Sequence, residues 1–150
     1  MKKLNRKGFT LVELLAVIII LAIVVGITIP AVLTTINSTR DKAFQTSVEA
    51  VADWLDRQAS AFLVSDGDIV TTDGTYVSAC TTNGAINATC TVSAELLNAA
   101  GVKAANFTTT DNSSSIKYNT TSGRYCVKLK GSTSGDYQSD AIKNSSTCTE

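Results

Sequence analysis

The stretch Gly8-Phe9-Thr10-Leu11-Val12-Glu13 decides the reading of this chain. Before it stands a short basic tail with Lys2, Lys3, Arg6 and Lys7. After it, from Leu14 through Ile36, no side chain carries a charge. An uncharged apolar run of that length reads as a membrane-spanning helix. Glu13 sits inside its start. A carboxylate at the centre of a bilayer costs roughly 2.5–3.5 kcal/mol on insertion scales. Near the end of a span it costs less, yet it still calls for a partner.

Three plainer readings fit less well. A secretory signal peptide has a shorter apolar region that ends in a small-residue cleavage site. This run is longer and lacks an Ala-x-Ala exit. A plain membrane anchor fits the length but leaves Glu13 without a purpose. A lipoprotein signal needs a cysteine at the end of the run, and the first cysteine is Cys80.

Lys7-Gly8-Phe9-Thr10-Leu11-Val12-Glu13-Leu14 resembles the class III leader junction of type IV pilins and type II pseudopilins. The resemblance covers Met1 to about Arg40 and fades beyond it. It implies cleavage after Gly8 by a membrane-embedded prepilin peptidase, and N-methylation of the new terminus at Phe9. The family's glutamate and its helix-bending proline fall on Glu13 and Pro30. A second proline often seen farther along in the family is absent, since Pro30 is the only proline here.

Physical chemistry bears on the same residues. Glu13 lies one helical turn from Phe9, so its carboxylate can approach the new amine within one chain. The family instead implies neutralisation of a neighbour's terminus in a packed filament. Either pairing lowers the cost of charge in an apolar core. An unpaired Glu13 would disfavour any register that strands it, which makes it a candidate register key. Pro30 removes a backbone donor and clashes with the preceding turn. Gly26, four residues earlier, lowers helix propensity further. Together they predict a kink within residues 24–30.

Lys+Arg and Asp+Glu balance at 13 each. The leader carries four basic and no acidic residues, so the mature chain would hold nine against 13. That argues against nucleic acid as a main ligand, although a small local basic patch stays compatible with DNA uptake, one task of the family. The chain has no histidine, which removes His-based triads and His metal sites.

Beyond Pro30, apolar residues recur at Phe44, Val48, Val51, Leu55, Ala59 and Phe62. This spacing predicts an amphipathic helix with one face for a sheet. Trp54 is expected at the edge of the stripe, and Asp53 with Arg57 as an i,i+4 pair. Ser65-Asp66-Gly67-Asp68 ends the helix. If straight, residues 9–64 would extend roughly 80 Å.

The remainder reads as a small α+β head. Ile69-Val70-Thr71 and Tyr76–Cys80 are expected as short extended pieces, and Cys80 to Cys90 as a polar loop around Asn83-Gly84. Ser93 caps a short helix, Ala94 to Ala100, stopped by Gly101. Residues 106–110 are expected extended. The best strands are Ser115–Asn119 and Arg124–Lys130, joined by a turn at Thr120-Thr121-Ser122-Gly123. In the second, Tyr125, Val127 and Leu129 alternate with Cys126, Lys128 and Lys130. The chain from Gly131 onward reads as irregular.

Four cysteines after a membrane anchor imply an oxidising exterior and two disulfides, with three connectivities open. We expect Cys80–Cys90, which closes a local loop, and Cys126–Cys148. The latter ties the tail to the best strand and resembles the C-terminal disulfide loop of many pilins. The spacings lack a close cysteine pair for zinc. Asp136 and Asp140 resemble a pseudopilin calcium loop only in being two acids, too few for such a site.

The resulting expectation is an α+β pilin-like chain. A leader (1–8) precedes a transmembrane and filament-core helix (9–30), an amphipathic helix (31–64) and a head (65–150). It would have no catalytic site, cofactor or metal. The resemblance implies a subunit of an extracellular type IV pilus, serving adhesion, twitching motility or biofilm formation. Its partners would be further copies, minor pilins, the prepilin peptidase, an assembly platform and its ATPase. The precursor would be a single-pass membrane protein with its head outside the bacterial cell. The alternatives are a type II secretion pseudopilin, a competence pilin, and a static membrane-anchored binding domain.

Overall fold

The computed structural model describes residues 9–65 and 73–148. The expected leader, the helix stop at 66–68 and the extended piece at 69–71 lie outside these residues. By contact density the chain forms two units, Met1–Thr39 and Arg40–Glu150.

Helix α1 runs from Leu11 to Val64 without interruption at Gly26 or Pro30. Within the first unit its apolar side chains are exposed, from Leu11 to Ile36. It is the one helix among the described residues that is long and apolar enough to cross a membrane. Threonine hydroxyls donate back to carbonyls a turn earlier, Thr34 to Pro30 at 3.1 Å and Thr35 to Ala31 at 3.0 Å. Such bonds satisfy side-chain polar groups where no water is available.

In the second unit α1 becomes one-sided. Phe44, Val48, Val51, Leu55, Ala59 and Phe62 are all buried, as the spacing predicts. Ala52 and Trp54 join them, Trp54 as the most exposed of the core side chains at 9%. The expected Asp53–Arg57 pair is not formed among the described residues. Asp53 and Arg57 are both exposed, where such an i,i+4 pair gains only a few tenths of a kcal/mol. The neighbouring Asp56 pairs with Arg124 at 2.9 Å.

The core side of the head is an antiparallel sheet. Strand β3 is Thr89–Cys90, β4 Phe107–Thr108, β5 Ser115–Asn119, β6 Arg124–Gly131 and β7 Ile142–Asn144. The order is β3-β5-β6-β4, and β7 also pairs with β6. Lys128 faces both Ser115 and Asn144, so β5 and β7 flank β6 on opposite sides. Alternation along β6 sends Tyr125, Val127 and Leu129 onto α1, with Ile116 beside them from β5. Each such side chain gains about 1.5–3 kcal/mol on burial.

Four stretches differ from the sequence expectation. Gly74–Cys80 is a helix, α2, and not a strand. Asp73 caps it by accepting from the Thr75 amide at 2.7 Å. Tyr76 and Cys80, one turn apart, then both enter the core. The tail is not wholly irregular, because β7 adds to the sheet. Residues 106–110 divide into a 3₁₀ turn, Ala104–Asn106, followed by β4. The Cys80–Cys90 loop holds a small hairpin, β1 (Thr81–Thr82) and β2 (Ala85–Ile86). Asn83 and Gly84 both have positive φ, 52° and 78°, as a tight two-residue hairpin turn requires. Helix α3, Ala94–Ala99, starts at Ser93, whose hydroxyl accepts from the Leu96 amide at 3.2 Å.

Candidate functional site

The site singled out by the sequence is the start of α1. Thr10 precedes the helix and Glu13 lies in its first turn. The Thr10 amide donates to Glu13 Oε2 at 2.9 Å, and the Thr10 hydroxyl donates to the same oxygen at 2.8 Å. In return the Glu13 amide donates to Thr10 Oγ1 at 3.3 Å. This reciprocal pair is a capping box, which satisfies two orphan donors at a helix start. Its sequence signal, Thr-x-x-Glu just before an apolar run, is present in Thr10-Leu11-Val12-Glu13. The charge of Glu13 alone does not announce this capping role, but the Thr-x-x-Glu spacing does.

The capping box changes the account of Glu13. Within one chain the carboxylate already has a partner, the backbone and hydroxyl of Thr10. Only one of its oxygens appears in these bonds. The other can accept from a cation brought by a neighbour. Phe9, just before Thr10, is 83% exposed, so its ring and backbone are open to other molecules. Gly8 lies outside the described residues.

The cysteines form two bonds. Cys80–Cys90 joins the end of α2 to β3, and Cys126–Cys148 joins β6 to the tail. Around the second, α1 grips the tail with three side chains on one face. Asp41 pairs with Lys143 at 2.7 Å. Gln45 donates to the Asn144 carbonyl at 2.9 Å. Glu49 accepts from the Ser146 amide at 2.8 Å. Steps of four along the helix thus meet Lys143, Asn144 and Ser146 in the order of the chain.

Asp136 pairs with Lys103 at 3.1 Å, and that contact, followed by one from Asn106, holds its carboxyl below the usual range. Among the described residues no group of three or more His, Cys, Asp or Glu is placed to hold a metal.

Comparison with protein-family models matches residues 3–29 to the prokaryotic N-terminal methylation motif. That motif marks a prepilin of the type IV pilin and pseudopilin kind. Comparison with curated proteins and with solved structures gives no match. A motif of this kind implies processing by prepilin peptidase. Its apolar helix fits a membrane-anchored precursor. The helix on a small antiparallel sheet is a pilin-like α+β arrangement.

Proposed function

We propose that this chain is a structural subunit of an extracellular type IV pilus, assembled by packing of its N-terminal helices. One observation carries the reading. Within the methylation motif, residues 3–29, and for a further two turns beyond it, the apolar side chains from Leu11 to Ile36 are exposed, with Glu13 as the single charge among them. Such a surface needs lipid or other helices around it. A precursor uses lipid, and a filament uses neighbouring copies. Transfer between these environments gains little from hydrophobicity, so packing of small and branched residues and charge pairing must hold the assembly.

In this reading the peptidase cuts between Gly8 and Phe9 and methylates Phe9. The Glu13 carboxylate keeps its bonds to Thr10 and adds the terminal ammonium of a neighbour. A register that strands that ammonium is disfavoured. Gly26 and Pro30 supply the bend that dense packing requires. An assembly platform and its ATPase extract the subunits. The two disulfides suit a head displayed outside the cell, where it serves adhesion, motility or biofilm formation.

The test is the intact mass of the chain from shed surface filaments. A chain that starts at Phe9, one methyl group heavier and four hydrogens lighter, is expected. A chain that starts at Met1 overturns the reading in favour of a static anchor. Glu13→Ala separates the two again, since a filament subunit assembles poorly and an anchored domain is unaffected.

A further inference from the structure

The sheet has a second face, turned away from the α1 core. By alternation it carries Ser115, Lys117 and Asn119 from β5, and Cys126, Lys128 and Lys130 from β6, with Arg124 at its end turned back to Asp56 on α1. Two of these cations are occupied. Arg124 pairs with Asp56 at 2.9 Å and Lys130 with Asp111 at 3.1 Å. Among the described residues Lys117 and Lys128 have no acidic partner, and both are exposed.

These two lysines are neighbours. Lys117 faces Cys126 across the β5–β6 ladder, and Lys128 lies two residues farther along the same face. Such a diagonal separates backbones by on the order of 7 Å. Two ammonium groups so placed, with no carboxylate between them, repel each other and favour an anion that bridges them. They border a groove of about 710 Å³, also lined by Ser115, Asn119, Asn144 and Thr147. Among the described residues no Asp or Glu lines this groove. Its rim therefore offers hydroxyl and amide groups, which donate and accept alike, around two fixed positive charges.

We propose that this groove binds an acidic polysaccharide, with Lys117 and Lys128 on its carboxylates and the hydroxyl and amide rim on its sugar hydroxyls. Charge complementarity selects the occupant. Residues 40–150 hold nine Lys and Arg against twelve Asp and Glu. A duplex carries one charge per ~1.7 Å of axis and needs many phosphate contacts for affinity. Two lysines in an acidic head do not supply them, and among the described residues no arginine lines the groove. A polyol with sparse carboxylates needs only two cations and many neutral hydrogen-bonding partners. This inference does not depend on polymerisation of the chain.

The experiment measures binding of polygalacturonate to the immobilised full chain in neutral detergent, with dextran and a duplex DNA of similar length as comparisons. Lys117→Gln/Lys128→Gln is expected to weaken polygalacturonate binding about tenfold or more, the loss of two charge-assisted hydrogen bonds. Lys42→Gln/Lys103→Gln removes the same charge elsewhere and is expected to change it less than about twofold. Dextran is expected not to bind. Equal losses in the two double variants would reduce the effect to net charge and overturn the site. So would tighter binding of DNA than of polygalacturonate, lost in the same variant, or no binding of polygalacturonate by the unaltered chain. Both variants replace exposed side chains, and an unchanged unfolding midpoint checks that the fold is kept.

Discussion

One carboxylate oxygen of Asp56, on helix α1, accepts from the backbone amide of Tyr125 at 2.7 Å. The other oxygen holds the Arg124 guanidinium. A single side chain thus ties the helix to the start of the central strand, 69 residues away. Asp56→Ala leaves the Tyr125 amide without this partner and is expected to cost about 1–3 kcal/mol. Arg124→Ala removes only a solvent-exposed ion pair and is expected to cost less than about 1 kcal/mol. Urea unfolding of the full chain in detergent, followed by fluorescence of the single Trp54, ranks the two. Equal effects would mean that the ion pair, and not the amide bond, carries the link.

The two disulfides differ in access. Cys80 and Cys90 are buried, at 0% and 8% exposure, while Cys126 and Cys148 are partly open. Gentle reduction followed by alkylation and mass spectrometry is expected to label Cys126 and Cys148 first. Loss of the longer loop also removes more restriction of the unfolded chain, by about 0.7 kcal/mol on the loop-entropy account. Cys126→Ser/Cys148→Ser is therefore expected to destabilise at least as much as Cys80→Ser/Cys90→Ser.

Two glycines of the tail are fixed by crowding. A Cβ on Gly131 would lie 2.4 Å from the Ser139 carbonyl oxygen, and one on Gly135 2.7 Å from the Asn106 Cα. Gly131→Ala and Gly135→Ala are each expected to cost about 1–3 kcal/mol, because backbone must move. Gly74, at the start of α2, has nothing within 4 Å of the added atom. Gly74→Ala is expected to stabilise by about 0.4–1 kcal/mol through the unfolded chain. Thermal unfolding of the three variants checks the sign.

Stability should fall in alkali. Burial pushes up the hydroxyl pKa values of Tyr76 and Tyr125, whose oxygens share a hydrogen bond at 2.9 Å. A group whose folded pKa is raised gives stability that is full below its unfolded value, about 10 for tyrosine, and is lost as pH rises beyond it. The urea midpoint should be lower at pH ~11 than at pH ~9, and Tyr76→Phe/Tyr125→Phe should flatten the drop. An equally steep drop in that variant would assign it to other groups.

What the sequence determined by itself is the part governed by local pattern. The charge-free run after Glu13 makes a helix that needs an apolar environment. The spacing from Phe44 to Phe62 selects its buried face in the head. Alternation in Arg124–Gly131 defines the central strand, and Ser93 and Gly101 bracket α3 because caps are local chemistry. Tertiary structure decided what depends on partners distant in sequence. Tyr76–Cys80 has β-branched and aromatic content that suits a strand, but the Asp73 cap and the need to bury Tyr76 and Cys80 together make it helical. Ile142–Asn144 has too little pattern to announce a strand, and it becomes one because β6 offers an edge and Asp41, Gln45 and Glu49 hold it there. The groove beside Lys117 and Lys128 arises in the same way. Which cations of the sheet stay unpaired depends on where the fold brings Asp56 of α1 and Asp111 of a loop, and no local pattern records that distance.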